Sequence, residues 1–279
     1  MTPYTVTVFG ATGKTGRHVT RQAATMGWRV RTAGRSPSGH GEWVRFEWDD
    51  EDTWTLASSG SDAAYFVIPY SHPGAPEKAP RLLETIAAAG VDTIVLLSTL
   101  DAENAPDTDP SRAAELALES LPVTSAILRP TWFMDNFTAG SFAAMTDAGE
   151  IRLPAGDGRI PFVDARDVAA VAVAALRRGG PSGVLPITGP EQLSHHDVAR
   201  ALTQGLGRPV RYTPVEPAEF IDLMISKGFS RDYGLFLAEA LSDVASGRLR
   251  IPVTDTVART TGRAPYTIEE FARTRSTMG

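Results

Sequence analysis

Three glycines recur at three-residue intervals in Gly10-Ala11-Thr12-Gly13-Lys14-Thr15-Gly16. The first lets the chain turn sharply out of a strand, the second lets backbone approach a bound pyrophosphate, and the third lets a following helix pack close to the sheet. The N–H groups at the start of that helix then hold the anion. The pattern predicts a dinucleotide site built on Gly10, Thr12, Gly13, Lys14, Thr15 and Gly16. Gly13-Lys14-Thr15 also resembles the end of a P-loop. That motif needs a glycine five residues earlier, where this chain has Val8.

A second segment bears on which dinucleotide. A site for NAD usually places an acid at the end of its second strand, against the ribose hydroxyls. Here the chain reads Arg31-Thr32-Ala33-Gly34-Arg35-Ser36, with no carboxylate before Glu42. Arg35 and Ser36 suit the 2′-phosphate of NADP(H) instead. A hydrogen bond to a charged group contributes about 1.5–3 kcal/mol, or roughly one to two decades of affinity.

The elements that must carry these residues follow from pattern. Residues 4–9 read as a buried strand and 15–27 as a helix closed by Gly27. Further strands are expected at 28–32, 43–48, 63–69, 92–98 and 123–128, with helices at about 77–89 and 111–120. Apolar runs such as Ile94-Val95-Leu96-Leu97 suit parallel strands covered on both faces. Strands alternating with helices imply βαβ units, so the fold class is α/β: a Rossmann-like, doubly wound parallel sheet with a smaller, mainly helical C-terminal substrate region. Residues 1–150 are assigned to the nucleotide-binding domain. Residues 151–279 form a mixed region that returns to the sheet at about 160–190. It has a helix at 166–178, a strand near 184–188, and then helices near 195–205, 217–227, 234–245 and 267–275 that make a substrate lid.

Composition narrows the function classes. A hydrophobic fraction of 42% with 22% charged residues is enough for a real core. A net charge of −6 with a pI of about 5.4 disfavours nucleic-acid binding, whose affinity comes mainly from cationic neutralisation of phosphates. There is no cysteine, hence no disulfide, thiolate metal site or cysteine nucleophile. No membrane-length apolar run and no leader-like start are present, so a soluble, cytoplasmic protein is expected. No two histidines stand at i, i+4. Ser194-His195-His196-Asp197 reads as a helix start rather than a metal site.

The chain resembles the NmrA-like branch of the atypical short-chain dehydrogenase/reductases. The resemblance rests on the Gly10–Gly16 loop, on Gly34-Arg35-Ser36, and on the run from Leu128 through Arg129-Pro130-Thr131-Trp132-Phe133-Met134-Asp135-Asn136 to Phe137. It also rests on Gly158-Arg159-Ile160-Pro161-Phe162-Val163-Asp164 and on Gly262-Arg263-Ala264-Pro265. Phe46-Glu47-Trp48 and Arg129–Met134 look more narrowly like the ergot-alkaloid agroclavine dehydrogenase type. The resemblance implies that Ile68 and Pro69 lie by the adenosine or pyrophosphate, that Ser98 and Thr99 approach the nicotinamide, and that Pro130, Trp132 and Phe133 line its pocket, with Asn136 completing it. Asp164 and Asp167 are read as caps or turn anchors.

Ordinary short-chain reductases protonate the product through a Tyr-x-x-x-Lys pair. None of the six tyrosines here has a lysine four residues on, and the lysine position aligns with Ser111. The three lysines are Lys14, Lys78 and Lys227, and the last two lie outside any such context. Reduction of a ketone needs an acid worth roughly 10²–10⁴ in rate. An iminium ion, a quinone or a conjugated acceptor demands less, and catalysis becomes placement of nicotinamide against acceptor. The expected function is therefore an NADPH-dependent oxidoreductase acting on such an acceptor, a small and apolar ring-containing molecule. Ser98, Thr99, Asp135 and Tyr70 are the catalytic candidates, and His72 is a further proton donor. The alternative is a non-enzymatic NADP(H)-sensing regulator of NmrA type. Apolar stripes at Phe220, Leu223 and Met224, and at Phe236, Ala240 and Leu241, are read as core and as the roof of the substrate pocket.

Overall fold

The computed structural model describes residues 3–70 and 72–276. Along the chain the elements are β1 (Thr5–Phe9), α1 (Gly16–Thr25), β2 (Arg29–Gly34), β3 (Glu42–Arg45), α2 (Asp52–Ser58), β4 (Ala63–Val67), α3 (Ala75–Ala88), β5 (Thr93–Leu97), a 3-10 turn at Ala102–Asn104, α4 (Pro110–Ser120) and β6 (Thr124–Pro130). There follow α5 (Asn136–Ala139), α6 (Ala143–Asp147), β7 (Glu150–Leu153), β8 (Arg159–Ile160), α7 (Ala165–Leu176), β9 (Gly183–Ile187), β10 (Leu193–Ser194), α8 (His195–Leu206) and β11 (Arg211–Pro214). The chain closes with α9 (Pro217–Ser226), α10 (Arg231–Ser246), α11 (Thr256–Thr261) and α12 (Ile268–Ser276).

The chain divides into two compact units. The first comprises the chain up to Pro130, Ala165–Ile187 and Asp255–Arg263; the second comprises Thr131–Asp164, Thr188–Thr254 and Ala264 onward. The division expected near residue 150 is thus spread over five crossings. The reason lies in the sheet: β9 pairs in parallel with β6, and α7 packs on α1, β4, β5 and β6, so the chain must return to the first unit.

In the first unit seven parallel strands lie in the order β3-β2-β1-β4-β5-β6-β9. This is the expected doubly wound sheet. The chain runs outward from β1 to β3, then returns to lay β4 on the other side of β1. Strand order therefore reverses between β1 and β4, the place where such sheets take ligands beyond their carboxyl ends. One face carries Phe9, Phe66, Ile94, Leu96 and Ile127 against Trp54 of α2, Leu82, Leu83 and Ile86 of α3, and Leu118 of α4. On α1, Val19 and Ala23 supply the buried stripe, whereas α7 is buried nearly all round, as Ala-Val-rich composition requires.

Local contacts fix where several of these helices begin and end. Asp109 caps α4, accepting from Ser111 N at 2.8 Å, with Pro110 as the first helical residue. Ser194 and Asp197 form a reciprocal capping box on α8, as the helix-start reading expected. The short helix α2 was not anticipated. Its final carbonyls are held by Arg31, buried in β2, which donates to Leu56 O at 3.0 Å, to Ala57 O at 3.3 Å and to Ser59 O. Burial lowers the pKa of that guanidinium.

In the second unit, β7 pairs with β11 in parallel and β8 with β10 antiparallel. Helix α8 packs on α12 and β11, and α9 packs on α10. An aromatic cluster of Phe137, Phe142, Phe162, His195 and Tyr212 fills its interior. Phe220, Met224 and Leu241 are core residues as expected, but Phe236 is 64% exposed. Among the described residues, no helix is long and apolar enough to cross a membrane, and no group of three His, Asp or Glu is placed to hold a metal ion.

Candidate functional site

The glycine loop leaves β1 with Gly10 at φ +80°, and Gly13 N donates to Gly10 O at 2.9 Å, closing the turn. At Gly16 a Cβ would stand 2.1 Å from Gly10 O, so only glycine lets α1 start this close to β1. Gly10, Thr12 and Gly13 are exposed, while Thr15 and Gly16 are buried. The first turn of α1 contains no acid, and its cap residue Thr15 makes no side-chain bond to the helix N–H groups. Within this turn Arg17 N donates to Gly13 O at 3.3 Å and His18 N to Thr15 O at 2.9 Å. The Thr15 hydroxyl accepts from Tyr65 OH at 2.8 Å instead. Tyr65 is fully buried in β4, and burial drives its pKa upward, keeping it a donor. This tie between β4 and the loop escaped the sequence, because Tyr65 reads there as one more apolar strand residue.

At the end of β2, Thr12, Thr32, Gly34, Arg35, Ser36 and Ser38 line a cavity of about 100 Å³. No carboxylate lines it. Glu42 is instead engaged by Arg29 at 2.5 Å. Arg35 is exposed, and no described acid lies within ion-pair distance of it. Thr32 Oγ1 is buried without a hydrogen-bond partner among the described residues. Trp43 Nε1 donates to Gly34 O at 3.0 Å and braces the strand end.

Beyond β4, Ile68 is buried and Tyr70 half-exposed. The Tyr70 hydroxyl accepts from Ser111 Oγ at 3.2 Å, and Ser111 Oγ accepts from Thr99 Oγ1 at 3.3 Å. Desolvation of the Tyr70 hydroxyl, reinforced by the nearby charges of Asp109 and Glu115, raises its pKa. His72 faces elsewhere: its Nδ1 accepts from Gly74 N, so the proton sits on Nε2, 3.1 Å from Asp49 Oδ2. Lys78 pairs with the same carboxylate and, with His72, holds its pKa below the ordinary value.

Ser98 and Thr99, adjacent in sequence, have different surroundings. Ser98 is buried and donates to Glu115 Oε1 at 2.5 Å; Thr99 is exposed. Glu115 is fully buried in α4 and receives Arg129 Nε at 3.0 Å and Nη2 at 2.7 Å, while Arg129 Nη1 reaches Glu103 at 2.6 Å. The carboxylate of Glu115, hydrogen-bonded along both edges, raises the Arg129 pKa. This places Ser98 in a structural ion-pair network at the ends of β5 and β6. Glu115 was missed in the sequence, although it shares the buried helical face of Ser111, Ala114 and Leu118.

The remaining residues lie in the second unit, apart from Pro130 at the end of β6 and Asp167 in α7. Trp132 stacks on Phe142 with centroids 6.4 Å apart, and Phe133 bridges Val163. Asp135 is fully buried at the start of α5, and Asp164 is buried just before α7. Asp167 sits within the first turn of α7, in the first unit, and pairs with Arg263 at 2.6 Å. It anchors α7 to the turn after α11.

With this geometry in view, comparison with known proteins is decisive about family. The model of the NmrA-like family matches residues 2–271. The chain belongs to the NmrA-like family. It is 32% identical to the uncharacterized oxidoreductase YesF of Bacillus subtilis, over 96% of this chain and 93% of that protein. It is 31% identical to the NAD(P)H azoreductase of Xenophilus azovorans, with 96% of each chain covered. The resemblance to the clavine dehydrogenases is also found, at 29% identity to festuclavine dehydrogenase of Aspergillus fumigatus over 96% of both chains. Among solved structures, the NADPH-dependent quinone oxidoreductase of Escherichia coli complexed with NADPH superposes with a TM-score of 0.82, at 23% identity, covering 97% of this chain and 99% of the other. That likeness shows the Rossmann-like fold.

Proposed function

We propose that this NmrA-like protein is an NADPH-dependent oxidoreductase that transfers hydride to an imine or iminium ion, a quinone or a conjugated acceptor. The cofactor is NADP(H), and the first unit fits it. The open glycine cradle and uncapped start of α1 suit the pyrophosphate, with Thr12, Lys14 and Thr15 around it. Arg35 and Ser36 suit the 2′-phosphate at a strand end that offers no acid to repel it. Ile68 and Pro69 then border the cofactor on the β4 side, and Thr99 and Pro130 border it at the ends of β5 and β6. When bound, the group supplies the hydride. The protein's part is to orient it and to hold the acceptor against it.

The observation that carries this reading is the acid-free, arginine-bearing cavity beside the glycine loop. A relative named as a festuclavine dehydrogenase supports oxidoreductase chemistry, and one named as an NAD(P)H azoreductase supports reduction of a nitrogen-containing acceptor. A fluorescence titration with NADPH and NADH, followed by an NADPH-oxidation screen across iminium ions, quinones and enones, tests it. Tight NADPH binding and turnover with at least one class are expected. Binding without turnover across the whole panel overturns the enzyme in favour of a regulatory NADP(H) sensor.

A further inference from the structure

The chain has no Tyr-x-x-x-Lys pair, yet the fold assembles a hydroxyl chain at the same strand ends. Thr99 follows β5, Ser111 lies in the first turn of α4, and Tyr70 follows β4. The three residues are far apart in sequence and touch in space. The direction of the hydrogen bonds matters more than their presence. Thr99 Oγ1 donates to Ser111 Oγ, and Ser111 Oγ donates to the Tyr70 hydroxyl oxygen. Each hydroxyl has one proton to give. Those of Thr99 and Ser111 are committed in the same direction, so the Tyr70 proton is the one left to leave the chain, and no described protein atom accepts it. Thr99 at the far end is exposed and can be refilled by water, whereas Ser111 between them is 1% exposed. Ser98, by contrast, is committed to Glu115.

We propose that Tyr70 is the proton donor of the reaction, replenished through Ser111 and Thr99, and that the acceptor is accordingly a conjugated carbonyl. This rests on the oxidoreductase reading and selects among its acceptors. Reduction of an iminium ion consumes no proton, and the hydroquinone anion left by a quinone is weakly basic and takes its proton from water. The enolate left by a conjugated carbonyl is more basic, and a built donor is useful there. The step balances. The β-carbon of the acceptor takes hydride from the reduced nicotinamide and forms a C–H bond. The C=C electron pair shifts and the carbonyl oxygen becomes an enolate oxygen, which takes the phenolic proton. Tyr70 takes the Ser111 proton, Ser111 takes that of Thr99, and water restores Thr99. The O···O separations of 3.2 and 3.3 Å are longer than an ideal hydroxyl bond, as is common before substrate tightens a site.

Tyr70→Phe separates the possibilities, and the half-exposed ring makes folding of the variant safe. Wild type and variant are compared with a cyclic enone, a quinone and an iminium ion, and NADPH affinity is measured by fluorescence. The expected result is a kcat with the enone lowered by about 10²–10⁴, a far smaller loss with the iminium ion, and an unchanged NADPH Kd. Ser111→Ala should lower the enone kcat by less than Tyr70→Phe does, and Ser111→Thr, which keeps the hydroxyl, should restore it. An enone kcat in Tyr70→Phe equal to that of wild type overturns the proposal and leaves the oxidoreductase reading intact. So does a wild-type enzyme that reduces iminium ions or quinones but no enone. A wild-type protein that binds NADPH and reduces nothing removes the oxidoreductase reading and this assignment together.

Discussion

At the scale of single residues, the most informative side chains are those whose chemistry the surroundings have committed. Arg35 faces an acid-free cavity, so Arg35→Ala should weaken NADPH by about 10–100-fold and NADH little. Equal losses in a titration of both would remove Arg35 from the 2′-phosphate site. His195 is a different case. It is fully buried among Phe137, Phe162 and Tyr212, and neither ring nitrogen has a hydrogen-bond partner among the described residues. Desolvation, aided by neighbouring His196, lowers its pKa to about 3. In the unfolded chain the ring titrates near 6.5, so the unfolded state binds the proton more readily. The neutral ring is therefore compatible with full stability above about pH 6.5, and stability falls as pH drops from there towards 3. Between pH 7 and pH 5 the loss should be about 2 kcal/mol in urea unfolding, and His195→Phe should flatten that part of the profile. An unchanged slope in the variant would assign the acid sensitivity elsewhere.

At the scale of elements, the glycine loop joins local pattern to tertiary contact. A Cβ at Gly16 meets Gly10 O and the Ala11 backbone, so Gly16→Ala must push α1 away from β1. NADPH affinity should fall at least tenfold in a fluorescence titration, with the far-ultraviolet dichroism of the fold retained. In the second unit Gly205 performs the same service without any ligand. A Cβ there would lie 2.4 Å from that of Ala272, where α8 and α12 pack. Gly205→Ala should lower stability by about 1–3 kcal/mol through overpacking, measured by thermal or urea unfolding. The major helices and the sheet strands were legible because their apolar periodicity is strong. The elements that escaped were short: α2, α5, α6, α11 and the β7–β11 and β8–β10 pairs. Seven or fewer residues give too little periodicity to read, and such pieces are held by distant partners, as Arg31 holds α2.

At the scale of the whole molecule, the chain is woven between its two units. Segment 255–263 returns α11 to the first unit, where it packs on α7 and β9 and where Arg263 meets buried Asp167. The last helix, α12, belongs to the second unit and packs on α8. A chain ended after Thr254 should therefore lose cooperative thermal unfolding and NADPH binding together. Retention of full NADPH affinity by that fragment would show that the first unit does not need α11. The sequence alone was sufficient for the α/β class, the order of the sheet-forming elements, the glycine loop, the arginine at the end of β2 and the family. Each of these is written in contiguous residues whose spacing matches a backbone period or a turn. Only the tertiary structure decided that Ser98 is spent on Glu115, that His72 is turned to Asp49, that Phe236 lies outside the core, and that Thr99, Ser111 and Tyr70 meet. Those partnerships join segments up to 41 residues apart. A hydroxyl or imidazole has the same chemistry wherever it stands in the chain; its proton is directed only once folding has chosen its neighbour.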